Sequence, residues 1–287
     1  MLCARLISGT KNVQSRPIIF ALQGIPVGSS RTDFFGRADL VVPALPPWAA
    51  GTYADGVGAG FIGDGAYGPS TGAAPLIIQR LPTWIEAGGS GTYLGSATVG
   101  GALKFWPPES LILQPLSDRR VDVFVQGRFV GSTVTGQNGA GAVDFSLAGL
   151  NSGTYVVDAV FWGDINLEPV SDRGELVVLP QTTSLLVAPA AGPANGTTTL
   201  SALLRFNGGL PLADRSLVFY LNDPIVGTAV TAGNGIAMLE GVSLEGISPG
   251  EHGGGVKALF LGELNFRPTA GDATLTVGPT LASTAPN

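Results

Sequence analysis

The sequence has one cysteine, one histidine and few charges: Lys plus Arg number 15, Asp plus Glu 21, and charged residues are 13 % of 287. Each shortage removes a class of function. A lone Cys3 excludes an internal disulfide and any zinc site built on two or four cysteines. A lone His252 leaves most acid–base and nucleophilic schemes without their base. Scarce Lys and Arg and a net charge of −6 give no electrostatic footprint for nucleic acid. No apolar run approaches the ~20 residues of a membrane-spanning helix. The longest, such as LVVPALPPWAA at 40–50, are short and broken by proline. The N-terminal MLCARLISGTK lacks a basic segment followed by a long apolar one, so it does not read as a signal peptide. Export by another route, retention inside, and a natural start further upstream all stay open.

What is abundant points one way. Hydrophobic residues reach 45 %, too many for a disordered chain, and 43 Gly and 21 Pro fall between short apolar runs. Helical spacing is hard to find, whereas alternation is frequent. Ile18, Phe20 and Leu22 share one face of PIIFALQG. Val121, Val123 and Val125 do the same in VDVFVQG, and Leu217, Phe219 and Leu221 in SLVFYLN. Period two with β-branched and aromatic residues predicts strands.

Those three strands are copies of one another. Each leads to a glycine (Gly28, Gly131, Gly227) and then to a second (Gly36, Gly139, Gly235). GTY at 51–53 matches GTY at 153–155 and GEH at 250–252. GFIGDGAYGPS (60–70), VFWGDINLEPVS (160–171) and LFLGELNFRPTA (259–270) align as well. A period of about 100 residues is that of a tandem domain, not of a solenoid repeat. The pattern divides the chain into 1–80, 81–179 and 180–277, with a tail at 278–287. Each copy holds about seven short strands with regularly spaced turn glycines. The expected fold is all-β, a row of immunoglobulin-like β-sandwiches.

From Thr182 to Val277, TTSLLVAPAAGPANGTTTLSALLRF, PLADRSLVFYLN, VGTAVTAGNGIAMLEGVSLEGISPGEH and FLGELNFRPTAGDATLTV make up one whole copy. This stretch resembles the bacterial Ig-like repeat domains found in tandem in surface and secreted proteins. Residues 83–178 follow the same pattern less closely, and 1–78 follow its later part. The resemblance implies a spacer or adhesive module on a cell surface, an extracellular fibre or a virus particle. It says little about ligand, because the fold hosts many roles.

The first copy departs from the pattern. In the third, LSALLRF (200–206) follows a first strand; in the first, the matching LCARLIS (2–8) opens the chain. The first copy is therefore expected to lack its first strand. The tail GPTLASTAPN falls where a fourth copy's first strand would begin. The paired deficit and surplus suggest head-to-tail self-association by strand donation, with Leu2, Ala4 and Leu6 receiving and Thr280, Leu281 and Ala282 donating. A truncated piece of a longer repeat protein is the simpler alternative.

Candidate chemistry is sparse, and no catalytic residue or cofactor is expected. His252 occupies the slot of Tyr53 and Tyr155, a corner position in such sandwiches. Gly58-Ala-Gly60-Phe-Ile-Gly63 matches a dinucleotide spacing but has no following helix. Asp64, Asp164 and Glu263 recur after a shared glycine; the reading is a turn stabilised by the side-chain oxygen, with Ca²⁺ as the alternative. Cys3 reads as a small buried hydrophobe. Trp48 sits where Leu150 and Ile247 sit, which suggests core. Trp84, Trp106 and Trp162 have no equivalents and read as exposed; Trp106, beside Pro107 and Pro108, suits a glycan or protein partner, with packing at a junction as the alternative. The expected setting is extracellular or surface-associated, without a membrane span.

Overall fold

The computed structural model describes residues 1–43, 45, 47–108 and 110–279. Among them every regular element is a strand. The first repeat contains β1 (Leu2–Arg5), β2 (Ile7–Ser8), β3 (Lys11–Asn12) and β4 (Pro17–Leu22). It continues with β5 (Ile25–Arg31), β6 (Arg37–Leu40), β7 (Gly51–Phe61) and β8 (Ser70–Ile78). The second contains β9 (Thr83–Thr92), β10 (Ser96–Phe105), β11 (Gln114–Pro115) and β12 (Arg120–Val125). After these come β13 (Arg128–Val134), β14 (Ala140–Ser146), β15 (Gly153–Phe161) and β16 (Val170–Leu179). The third contains β17 (Thr183–Val187), β18 (Ala190–Pro193), β19 (Thr197–Phe206), β20 (Leu210–Pro211) and β21 (Ser216–Leu221). It ends with β22 (Ile225–Val230), β23 (Ile236–Ser243), β24 (Gly250–Phe260) and β25 (Thr269–Gly278).

Each repeat stacks two layers. In the second, β9, β10 and β14 form one layer, and β13, β12, β15 and β16 the other. Strand β9 belongs to both: it runs antiparallel to β10, and its second half runs parallel to β16. The third repeat divides that task, with β17 antiparallel to β19 and β18 parallel to β25. In the first, β1 pairs with β6 and β8 pairs with β7. Among the described residues no strand joins the other edge of β1 or of β8.

The alternating residues do what their spacing predicts. Ile18, Phe20, Leu22, Val121, Val123, Val125, Leu217, Phe219 and Leu221 are all buried. Each contributes roughly 1.5–3 kcal/mol by leaving water. All but Leu22 fall into three separate clusters, one per repeat. The recurring glycines have a steric reason. Gly36, Gly139 and Gly235 adopt φ of 72°, 77° and 79°, and a Cβ at each would press on the carbonyl oxygen of Leu6, Leu103 or Leu204. The corner residues also share one bond. Tyr53 Oη donates to the Ala49 carbonyl and Tyr155 Oη to the Asn151 carbonyl, both at 2.8 Å. His252 Nε2 lies 2.9 Å from the Ser248 carbonyl, four residues back as in the other two. The Gly58–Gly63 spacing lies on β7 and its turn into β8, with no helix to cradle a phosphate.

Two expectations are corrected. Cys3 is exposed. Strand alternation puts Leu2 and Ala4 on the inner face of β1, with Leu6 just beyond its end on the same side, and Cys3 falls on the outer face beside Asp39. Trp48 is half-buried and stands outside the first core cluster, although Leu150 and Ile247 pack against theirs.

Candidate functional site

The first repeat carries a groove. It has a volume of about 260 Å³ and runs between β1 and β8, floored by Ile18, Ala59 and Phe61. Backbone bonds fix which residues correspond: Leu6, Leu103 and Leu204 each donate their N–H to the carbonyl of the following turn glycine. By that register Leu2 matches Val99 and Leu200, and Ala4 matches Gly101 and Ala202. Val99 and Leu200 are fully buried, while Leu2 is only half-buried. On the facing edge, Leu76 and Ile78 are half-buried, whereas Leu176, Val178, Leu275 and Val277 are at most 2 % exposed. The apolar pattern of a complete sandwich is present, but its covering strand is not among the described residues. Of the predicted contact residues, Ala4 and Leu6 line this groove, and Leu2 lies further along the same face of β1. Thr280, Leu281 and Ala282 lie outside the described residues.

The same strand position is occupied in the other repeats. Ile85 of β9 stands opposite Leu103, and Leu185 of β17 opposite Leu204. Two positions along, Ala87 and Val187 stand opposite Gly101 and Ala202. An aliphatic residue followed by a second apolar residue at i+2 is thus what fills the space over Leu and Gly or Ala.

Asn166 and Asn265 have a role that the sequence reading missed. Asn166 Oδ1 accepts the N–H of Ala50 at 2.9 Å, and Asn265 Oδ1 that of Ser152 at 2.7 Å. Asn265 Nδ2 also donates to Asn151 Oδ1 at 2.9 Å. Each asparagine therefore ties its own repeat to the preceding one. Ala50 and Ser152 are equivalent, since each directly precedes the glycine of GTY. The signal was available: the first copy, with no described repeat before it, has Ala66 at this place. At the second junction Gln181 Nε2 also donates to the Tyr93 carbonyl, and Tyr93 meets Phe266 edge-on at 5.8 Å.

The acidic turn residues are locally engaged. Asp64 Oδ1 accepts the N–H of Ala66 and Tyr67, and Asp164 Oδ1 that of Asn166 and Leu167. The Ala66 amide bond comes first among the contributions that hold the Asp64 carboxyl below the usual carboxylate range. Asp64, Asp164 and Glu263 form ion pairs with Arg16, Arg119 and Arg215 in turn. A guanidinium against each carboxylate repels a cation, and no group of three or more acidic, His or Cys side chains gathers among the described residues. The indoles are tied as well. Trp162 Nε1 donates to Asp122 Oδ2 at 2.9 Å, and Trp106 Nε1 to the Ser110 carbonyl at 2.8 Å, and both residues are exposed. The first repeat adds an exposed pair, Phe34 and Phe35, in edge-to-face contact at 5.5 Å.

No family model and no curated protein matches the chain. Among solved structures it is similar to a 1.5-MDa bacterial ice-binding adhesin, at 15 % identity and TM-score 0.32, over 94 % of this chain and 88 % of that one. It is also similar to a tetra-tandem repeat from the extending region of a large adhesion protein, at 14 % identity and TM-score 0.33, over 93 % and 68 %. A third is the three N-terminal domains of the outer capsid protein Hoc of bacteriophage RB49, at 8 % identity and TM-score 0.31, over 96 % and 92 %. These likenesses are too distant to decide a function.

Proposed function

We propose that the chain is a non-catalytic structural protein of three immunoglobulin-like domains, 1–80, 81–179 and 180–277, set in a row on a cell surface, fibre or virus particle. Its first domain is incomplete and is finished in trans, by a strand that segment 278–287 of another copy donates. The observation that supports this is the half-buried state of Leu2 on β1 and of Leu76 and Ile78 on β8, where the sister domains bury the same positions, together with the open groove between these two strands. An added strand would satisfy the unpaired backbone edges and cover that apolar strip together. Donation from one end to the other is a heterologous contact and gives open filaments unless it closes into a ring. The test is light scattering and negative-stain microscopy of the purified chain with and without residues 278–287. Polymers that vanish on deletion support the reading, and polymers that persist defeat the tail as donor.

A second reading is adhesion through loops to a glycan or a protein. It is favoured by Leu111 and Ile112, which are 94 % and 69 % exposed in the loop after Trp106. A glycan array with Trp106→Ala as control tests it.

A further inference from the structure

The groove has a crossing point, and this deepens the reading above and rests on it. In the third repeat the first strand passes over Gly271 of β25. A Cβ there would sit 2.7 Å from the Leu185 carbonyl oxygen and 3.2 Å from Val187 Cγ2. The second repeat solves the crossing differently. Asp172 stands at the matching place and its Oδ2 accepts the Ala87 N–H at 3.0 Å, while Gly174, two residues on, lies against the Ala87 carbonyl. The first repeat carries the pair of the third, Gly72 and Ala74 against Gly271 and Ala273, and not the pair Asp172 and Gly174. A Cβ on Gly72 would meet nothing within 4 Å.

We infer that Gly72 is the point at which a guest strand crosses β8. The guest carbonyl rests on Gly72 as that of Leu185 rests on Gly271. The strand runs antiparallel to β1 and parallel to β8, with alternate side chains over Leu6 and Ala4. The occupant is the C-terminal segment of a second copy. Strand β25 is followed by Pro279 as β16 is followed by Pro180, and the residues after Pro180 become the first strand of the next repeat. Nine residues follow β25, against the five that β17 uses. No side chain among the nine is charged, which suits an apolar groove. Gly153 pairs with Val178 and Gly250 with Val277, so counting from those pairs sets the register. Thr284 then falls where Leu185 falls, and Pro286 where Val187 falls. Thr fills less of the space than Leu, so the contact is reversible and open to strengthening.

Three full-length variants test this by sedimentation over a range of concentrations. Gly72→Val suits a strand, and its Cβ would meet nothing within 4 Å in the free chain, so its melting temperature should be no lower than the parent's. It should nevertheless lose self-association at least tenfold, with Gly72→Ala showing the same trend. Thr284→Leu should associate at tenfold or more lower concentration. As a direct probe, the labelled peptide 181–191, taken from the strand that fills the third repeat, should bind the chain lacking 280–287. Gly72→Val should abolish that binding. If Gly72→Val associates as the parent does, or binds the peptide equally well, the crossing point is wrong. If Gly72→Val is monomeric while deletion of 280–287 leaves polymers, the crossing point stands and the tail is not the donor. A parent chain that stays monomeric and ignores the peptide overturns both.

Discussion

Single residues in this chain mostly serve the repeat. The bond from the corner side chain to the carbonyl four residues back is the same whether a tyrosine or a histidine makes it, so His252 is explained without chemistry. Tyr155→Phe should cost about 1 kcal/mol in denaturant unfolding, the net worth of one hydrogen bond, and His252→Tyr should be tolerated. Asp122 gives a pH prediction. Partial burial raises its pKa, but bonds from Ser132, Trp162 and Arg120 outweigh that and hold the carboxyl below its usual range. A lowered native pKa contributes stability that is complete above the unfolded value near 3.9 and fades as pH falls. Asp122→Asn should therefore lose about 1 kcal/mol at pH 7, and the two proteins should converge near pH 2, as read by thermal melts. The Cys3 thiol is pushed up, by partial desolvation first and then by its hydrogen bond to Asp39. Its reaction with a disulfide reagent should be slower at pH 8 than that of a small free thiol.

At the scale of elements, the strands were legible because alternation is a local property. The faces of β4, β12 and β21 can be read from three residues each. The turn glycines were legible as landmarks, and their reason, a carbonyl against the missing Cβ, became visible only in three dimensions. Cys3 was misjudged because its small apolar side chain says nothing about which face of an edge strand it takes. The groove was half legible. Sequence identified the departure of the first copy, but the facing wall at Leu76 and Ile78 depends on a parallel pairing between residues far apart in the chain. The junction asparagines escaped for the same reason, since their partners lie more than 100 residues away. Asn166→Ala removes one such bond and Asn265→Ala two. Each should leave the melting of the repeats nearly unchanged and broaden the distribution of inter-repeat angles in small-angle scattering.

At the scale of the whole molecule, the two internal junctions are built alike and the outer positions are not. Ala50 and Ser152 offer an N–H to the following repeat, but the matching residue in the third repeat is Pro249, which has none. Asn166 and Asn265 supply the acceptor, but the first repeat has Ala66. Copies docked end to end by a strand would therefore meet without this latch. Such a filament would be rigid in blocks of three and pliant between them, with its bends concentrated at every third joint. Images of it should show kinks spaced by one molecule, and its persistence length would be set by that one unlatched contact. Restoring the pair with Ala66→Asn and Pro249→Ser would straighten it.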